Sequence, residues 1–228
     1  MENSLKKIAS IKTDFPTKFG IPRQSGLVEM LEGRIIFEPE FRKEEAVRGL
    51  EQFSHIWLLW GFSESEKENW SATVRPPRLG GNKRIGVFAT RSPFRPNKIG
   101  LSCVRLERME KDKNLGIILV VMGADLMDGT PIYDIKPYIP VADCHKEAWE
   151  GYTEKTKEYQ LQVNFPEELL IKLPPNKREV ILEVLAQDPR PAYINDTERV
   201  YGMVFAGYNI KFKVEGGVLQ VCKVEQQF

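Results

Sequence analysis

The sequence predicts a mainly β fold, in which a single closed or nearly closed β-barrel precedes a small α+β C-terminal domain. Short apolar runs recur between residues 7 and 139, and clusters of Gly, Pro, Asn and Asp separate them as turns. Only one segment in this part has the apolar spacing of a helix. The sequence also has no glycine-rich dinucleotide turn and no Gly-Lys-Ser/Thr phosphate loop, which argues against a Rossmann fold.

The barrel strands are predicted from apolar runs of strand length. These runs are residues 7–15, 27–30, 34–37, 53–62, 84–90, 99–110, 114–124 and 131–139. Glu32 and Gly33 separate the second run from the third and predict a hairpin turn. Residues 41–52 have apolar side chains at the spacing of a short amphipathic helix.

The character of the sequence changes after Pro140, where residues 143–158 are polar and have little periodicity. We place a linker at 144–158, between a barrel domain at 1–143 and a C-terminal domain at 159–228. Pro166 precedes a predicted helix at 167–173, and Asn176 is a favourable N-cap for a second helix at 176–187. The other predicted elements are a strand at 159–164 and a small antiparallel sheet of residues 200–207, 208–214 and 218–224.

Positive charge is concentrated in residues 69–106, which we call the basic stretch. It contains eight Lys and Arg residues and no Asp or Glu, although the net charge of the whole chain is only +1. This clustering predicts a surface that faces RNA or DNA phosphates, with Phe94 available to stack on an unpaired base. The alternative is a solvated loop with incidental arginines. The predicted RNA contacts are Arg75, Arg78, Lys83, Arg84, Arg95 and, from the C-terminal domain, Arg190.

Two turns have side chains suited to holding a ligand. Residues 91–97 contain two prolines that fix the backbone beside Arg91, so this turn is either a ligand clamp or a turn stabilised by Ser and Asn hydrogen bonds. Residues 125–130 are more typical of an Asx turn. The functional alternative there is that Asp128 and backbone groups hold a polar ligand at the end of a strand.

Cysteine and histidine usage argues against a disulfide framework and a metal site. Cys103, Cys144 and Cys222 are widely scattered, and His55 and His145 are the only histidines. We therefore predict that no metal is bound.

The densest apolar run, at 55–62, is too short for a membrane helix, and the first fifteen residues lack a signal-like apolar region. These features predict a cytoplasmic protein.

Several long motifs resemble those of one known family. They are the Pro-Arg-Gln loop at 22–24, VRGLEQFSHIW at 47–57, TVRPPRLGGNKRIGVFATRSPFRPNKIGLS at 73–102 and DLMDGTPIYDIKPYIPVAD at 125–143. Over residues 7–143 the sequence resembles the TrmO/TsaA-like (YaeB) family of S-adenosylmethionine-dependent tRNA adenine methyltransferases. VLAQDPRPAY at 184–193 resembles the signature of that family's C-terminal domain. Lys98 departs from the pattern, because the family usually has proline there.

The resemblance implies a β-barrel catalytic domain outside the Rossmann class that works as a homodimer. It implies methylation of the exocyclic nitrogen of threonylcarbamoyl-adenosine at position 37, beside the anticodon, in tRNAs such as those for threonine. The cofactor-binding residues that it implies are Pro22, Arg23, Gln24, Ser63, Glu64, Arg91, Leu101, Asp125, Leu126, Met127, Asp128, Gly129 and Thr130.

For the reaction, we expect Arg91 to fix the cofactor and Asp128, or a neighbouring backbone carbonyl, to orient the acceptor nitrogen. No histidine base is needed, because methyl transfer from a sulfonium depends mainly on positioning. The alternative function is a non-catalytic β-barrel module that binds S-adenosylmethionine or RNA without transferring a methyl group.

Overall fold

The computed structural model describes residues 5–63, 69–76, 83–156, 159–191 and 196–227. The described chain is mainly β, which confirms that part of the predicted fold. Its strands are β1 (Ala9–Lys12), β2 (Glu32–Phe37), β3 (His55–Gly61), β4 (Thr73–Val74), β5 (Ile85–Gly86), β6 (Ile99–Asp112), β7 (Gly116–Met122), β8 (Pro131–Pro137), β9 (Gln162–Asn164), β10 (Tyr201–Phe205), β11 (Tyr208–Glu215) and β12 (Val218–Gln226). Its α-helices are α1 (Glu44–Val47), α2 (Pro140–Asp143), α3 (Glu167–Leu170) and α4 (Pro175–Ala186).

Six antiparallel strands form a closed barrel in the order β1-β2-β7-β6-β3-β8. The ring closes because β8 pairs with β1, where Ala9 lies opposite Ile132. Alternate residues of a strand face the same side of a sheet, so one set of apolar side chains fills the interior. These buried side chains include Ala9, Ile11, Ile35, Phe37, Ile56, Leu58, Val104, Leu119, Val121 and Ile132.

The hairpin predicted at Glu32 and Gly33 is wrong, because both residues lie inside β2. Gly33 pairs with Val121 of β7, and a Cβ at this position would press against the Ile11 side chain in the barrel interior. The glycine therefore permits close packing within the barrel and does not form a turn. Residues 27–30 form no strand in the structure and belong to an irregular segment before β2.

The amphipathic helix predicted at 41–52 is also wrong. The segment contains only α1 and two short 3₁₀ turns, at Pro39–Phe41 and Leu50–Gln52. Arg48 is extended and Gly49 has a φ of 89°, in the left-handed region, so the helical hydrogen bonding stops between the turns. The apolar side chains of this segment still pack on the barrel core, as Val47, Phe41 and Leu50 do.

The strand predicted at 84–90 is shorter in the structure. Only Ile85 and Gly86 form a strand, which pairs with β4 in a two-stranded ribbon. A 3₁₀ turn at Val87–Ala89 follows it. We call residues 73–76 and 83–86 the basic ribbon, since they include Arg75, Lys83 and Arg84.

The C-terminal sheet has the order β10-β11-β12-β9. Strands β10, β11 and β12 are antiparallel as predicted, but β9 joins β12 in a parallel pairing. Helix α4 buries Val180, Ile181, Val184 and Leu185 in the core of this domain. The predicted Asn176 cap is wrong, because the helix starts at Pro175 and no side chain caps it.

The segment between β1 and β2 joins the two parts of the molecule. Its Phe15, Val28 and Leu31 belong to the same buried cluster as the C-terminal core. The ring centroids of Phe15 and Phe205 are 5.3 Å apart. At the edge of this contact the Asp14 carboxylate lies 2.6 Å from the Lys177 ammonium group. The segment between β1 and β2 thus packs in the core of the C-terminal domain, which is separate from the core inside the barrel.

No helix in the part of the chain that the structure describes is long and apolar enough to cross a membrane.

We expect Phe15→Ala to lower the free energy of unfolding by about 3–5 kcal/mol, as large-to-small core substitutions do. Phe15 lies in the segment that leaves the barrel but packs in the core of the C-terminal domain, so urea unfolding followed by fluorescence and circular dichroism should show one shifted transition. Phe53→Ala is the control, because Phe53 is exposed. A loss for Phe15→Ala no larger than that of the control would contradict this packing.

Candidate functional site

A cavity of about 680 Å³ opens at one end of the barrel. The end of β3, the start of β6 and the loop between β7 and β8 form its floor, and loops 18–24 and 90–95 form its sides. Its volume lies in the range of small-molecule sites, and its walls are mostly apolar with a few polar groups. This end of the barrel is therefore the candidate site.

Ten of the residues proposed from the sequence to bind a cofactor come together in this cavity. They are Pro22, Arg23, Gln24, Ser63, Arg91, Leu101, Asp125, Leu126, Met127 and Thr130. Asp128 and Gly129 do not line it, and Glu64 lies outside the described residues. Lining residues that the sequence analysis did not assign to the pocket include Lys18, Ile21, Trp60, Phe62, Phe94 and Arg95.

The central polar group is the partly buried carboxyl of Asp125. The Ser102 hydroxyl donates to Asp125 Oδ1 at 2.6 Å, and the Trp60 indole donates from Nε1 to Ser102 Oγ at 3.0 Å. Burial raises the pKa of the Asp125 carboxyl, and this outweighs the hydrogen bond from Ser102 and the nearby charge of Arg91, which lower it. The cavity therefore contains a carboxylate of raised basicity held in a fixed orientation.

Gly100 provides the space for this arrangement. It lies opposite Trp60 in the pairing of β3 with β6, and a Cβ at position 100 would collide with the indole ring. Ser102 follows two residues later on the same strand face. The sequence analysis assigned no role to Trp60 or Ser102, since both lie within predicted strands. Ser102 does end the long motif that carried the family resemblance.

The two side loops meet across the cavity. An Arg91 guanidinium nitrogen, Nη1, donates to Gln24 Oε1. The amide nitrogen of Gln24 donates in turn to the Arg23 carbonyl at 2.6 Å. This contact closes the Pro-Arg-Gln loop against the 90–95 loop and leaves Arg91 beside Asp125, where its charge affects the carboxyl.

The C-terminal domain contacts the Pro-Arg-Gln loop directly. Arg23 Nη2 donates to the Arg190 carbonyl at 3.4 Å. The Arg190 guanidinium pairs with Asp188 through two hydrogen bonds of 2.8 and 2.9 Å, and Tyr159 also donates to Asp188. Burial opposes ionisation of Asp188, but these hydrogen bonds lower its pKa. The side chain of Arg190 is only 14% exposed, so the predicted RNA contact forms an internal ion pair instead.

Asp128 does not occupy the position expected for a residue that orients the acceptor. Its Oδ1 accepts from the Thr13 backbone N–H at 3.1 Å, and its Oδ2 lies 3.2 Å from the Lys12 ammonium group. These contacts fasten the 125–130 turn to the end of β1. The carboxyl that lines the cavity belongs to Asp125, three residues earlier. Asp125, and not Asp128, is therefore the aspartate placed to meet a ligand in the cavity.

The predicted RNA contacts in the basic stretch separate into two groups. Arg75, Lys83 and Arg84 are exposed on the basic ribbon. Arg95 is partly buried at the cavity, where it donates to the carbonyls of Thr90 and Val87 at 2.7 and 3.4 Å. Arg78 lies outside the described residues. Among the residues that the structure describes, no group of three or more His, Cys, Asp or Glu side chains could hold a metal ion.

Two family models match the chain. The model of the tRNA-methyltransferase O N-terminal domain matches residues 10–144, and that of the TrmO C-terminal domain matches residues 158–227. A crystal structure of TrmO from Pseudomonas aeruginosa is similar, with a TM-score of 0.80 at 33% identity, and the match covers 99% of each chain.

Several named relatives are similar over most of their length. The tRNA (adenine(37)-N6)-methyltransferase of Escherichia coli (strain K12) is 41% identical, over 96% of this chain and 97% of that protein. The protein of the same name from Eikenella corrodens is 46% identical, over 73% of this chain and 93% of that protein. A putative S-adenosylmethionine-dependent methyltransferase of Pseudomonas aeruginosa is 42% identical, over 85% of this chain and 84% of that protein.

We expect the pKa of the Asp125 carboxyl to lie above that of an ordinary aspartate, and to rise further in Ser102→Ala. The alanine removes a hydrogen bond that favours the ionised form. Carboxyl carbon-13 NMR titration measures the Asp125 pKa in the unmodified protein and in Ser102→Ala. The Asp128→Asn variant lacks the Asp128 signal, so it shows which resonance belongs to Asp125. An Asp125 pKa that is unchanged or lower in Ser102→Ala would show that the hydroxyl does not stabilise the carboxylate.

Proposed function

The chain belongs to the tRNA-methyltransferase O family, and we propose that it transfers a methyl group from S-adenosylmethionine to the exocyclic nitrogen of the adenosine at tRNA position 37. In the full form of the proposal, this adenosine already has a threonylcarbamoyl group, and the substrates are tRNAs such as those for threonine. The observation that best supports the proposal is the cavity itself, where a carboxyl, a guanidinium group and aromatic rings meet.

The residues of the cavity fit S-adenosylmethionine. Its volume of about 680 Å³ accommodates a ligand of this size. Arg91 provides a fork-shaped donor suited to a carboxylate, as in the amino-acid end of the cofactor. Trp60 and Phe62, with ring centroids 4.4 Å apart, provide aromatic surface suited to a cation or an adenine ring. When bound, the cofactor supplies an electrophilic methyl group on a positively charged sulfur.

The residues of this chain contribute positioning and proton transfer. Transfer of a methyl group from the cofactor to the acceptor nitrogen would require that nitrogen to give up its proton. Asp125 lines the cavity, and burial makes it a stronger base than an exposed aspartate. We assign the proton to its carboxylate, from which it passes to water. Ser102 and Trp60 hold that carboxylate in place, and Arg91 holds the cofactor.

The proposal also includes RNA contacts from Arg75, Lys83 and Arg84, a cytoplasmic location and a homodimer. Exposed cations in a stretch without acidic residues support the RNA contacts. The family resemblance supports the dimer, and the sequence features described above support the location. Sedimentation equilibrium that gives the mass of a single 26.2 kDa chain would refute the homodimer.

We expect tRNA from a strain that lacks this gene to contain unmethylated threonylcarbamoyl-adenosine at position 37, and complementation to restore the methyl group. Nucleoside mass spectrometry detects the difference. If the methylated nucleoside persists in the deletion strain, the proposed activity fails. If the purified protein binds S-adenosylmethionine by calorimetry but methylates no tRNA, the non-catalytic binding module replaces it.

We expect Asp125→Asn to lower kcat by about 10²–10⁴-fold, the usual contribution of a general base. Asp128→Asn is the matched control in the same turn. It retains an acceptor for the Thr13 N–H, and its turnover should stay close to that of the unmodified protein. Methyl incorporation into tRNA from the deletion strain measures both. An equal loss of kcat in the two variants would show that Asp125 has no special role compared with Asp128. Full activity of Asp125→Asn would exclude Asp125 as the base.

A further inference from the structure

Two large aromatic side chains are exposed beside the cavity. Trp70 is 52% exposed and Phe88 is 72% exposed, yet their rings are nearly parallel, at 19°, with centroids 6.4 Å apart. Side chains of this size are normally buried, and an adjacent exposed pair marks a binding surface. We call Trp70 and Phe88 the aromatic pair.

The local backbone holds the pair in this position. Trp70 precedes β4 and Phe88 follows β5, so the antiparallel ribbon brings the two residues to the same end. The Val87 N–H donates to the Ala72 carbonyl at 3.0 Å just beyond the ribbon. The ribbon therefore places the backbones of the two aromatic residues side by side.

The aromatic pair is also joined to the wall of the cavity. The Arg95 guanidinium carbon lies 5.9 Å from the centroid of the Phe88 ring, and Arg95 lines the cavity. The Ser71 N–H donates to the carbonyl of Phe94, another lining residue, at 3.0 Å. A ligand that enters the cavity and extends over its rim on this side would meet the pair.

The charge around the pair favours a nucleic acid as the occupant. Residues 69–76 and 83–106 contain no acidic side chain, and Arg75, Lys83 and Arg84 are exposed on the adjoining ribbon. Aromatic rings set among cations are typical of surfaces that bind unpaired nucleotides, where bases stack and phosphates contact the cations. An acceptor base that enters the cavity must leave its own stack, so its neighbours lose a stacking partner.

We propose that the aromatic pair is a stacking platform for an unpaired nucleobase of the RNA substrate, adjacent to the base that enters the cavity. This inference rests on the proposed function, because RNA methylation supplies the substrate. Trp70 and Phe88 bind the neighbouring base through their ring faces, while the basic ribbon contacts the phosphates. The platform contributes to RNA affinity and takes no part in cofactor binding.

The test replaces each aromatic residue by leucine, which keeps an apolar side chain but removes the ring. Trp70→Leu and Phe88→Leu should each raise the Kd for an anticodon stem–loop RNA about tenfold or more, measured by fluorescence anisotropy. Trp70→Phe and Phe88→Tyr keep a ring and should bind close to normally. Trp149→Leu is the control, since Trp149 is 98% exposed and lies outside the basic stretch.

Three further measurements separate stacking from other roles. The leucine variants should bind S-adenosylmethionine normally by calorimetry and should keep the salt dependence of RNA binding, because the phosphate contacts remain. Arg84→Gln should instead reduce that salt slope, by about 1. A 2-aminopurine placed beside the acceptor base should be quenched by the unmodified protein and not by the leucine variants.

Unchanged RNA affinity in both leucine variants would overturn the proposal. So would a change in sedimentation mass without a change in RNA affinity, because the pair would then be a contact between copies of this chain. A failure of the proposed function would give a different result. The unmodified protein would then bind the RNA without methylating it, and the Kd values of the leucine variants would still test the aromatic pair.

Discussion

Residues 13–31 pack into the core of the C-terminal domain, and the position of the candidate site depends on this packing. This segment leaves the barrel after β1, inserts Phe15, Val28 and Leu31 among the side chains of the other domain, and returns as β2. The Pro-Arg-Gln loop lies inside the segment. One side of the cavity is therefore held by a segment that packs in the core of the C-terminal domain, which couples the shape of the site to the stability of that domain.

Ionised Asp125 lowers the stability of the folded chain, because its carboxylate is partly buried. Its pKa is raised in the folded chain, so its contribution to stability is fully present at low pH and is lost as the pH rises through that pKa. At a pH where the carboxylate is ionised, its partial burial costs folding free energy. The hydrogen bond from Ser102 and the charge of Arg91 offset part of this cost. Catalytic groups often lie at positions of this kind.

The basic stretch serves two environments. Arg91 and Arg95 turn toward the cavity and are tied to Gln24 and to backbone carbonyls. Arg75, Lys83 and Arg84 stay exposed on the ribbon. The same run of charge thus contributes side chains to the cavity on one side and exposed cations on the other.

Features that depend on neighbouring residues could be predicted from the sequence. The long apolar runs at 53–62, 99–110 and 114–124 became β3, β6 and β7, and the motif at 73–102 led to the correct family. Three other features could be established only from the folded chain: which aspartate of the 125–130 turn faces the cavity, that Glu32 and Gly33 continue a strand, and that Arg190 pairs with Asp188. The reason is physical. Spacing reports which side chains share a face of a local element, whereas burial and hydrogen-bond partners depend on residues far away in sequence, such as Thr13 for Asp128 or Arg23 for Arg190.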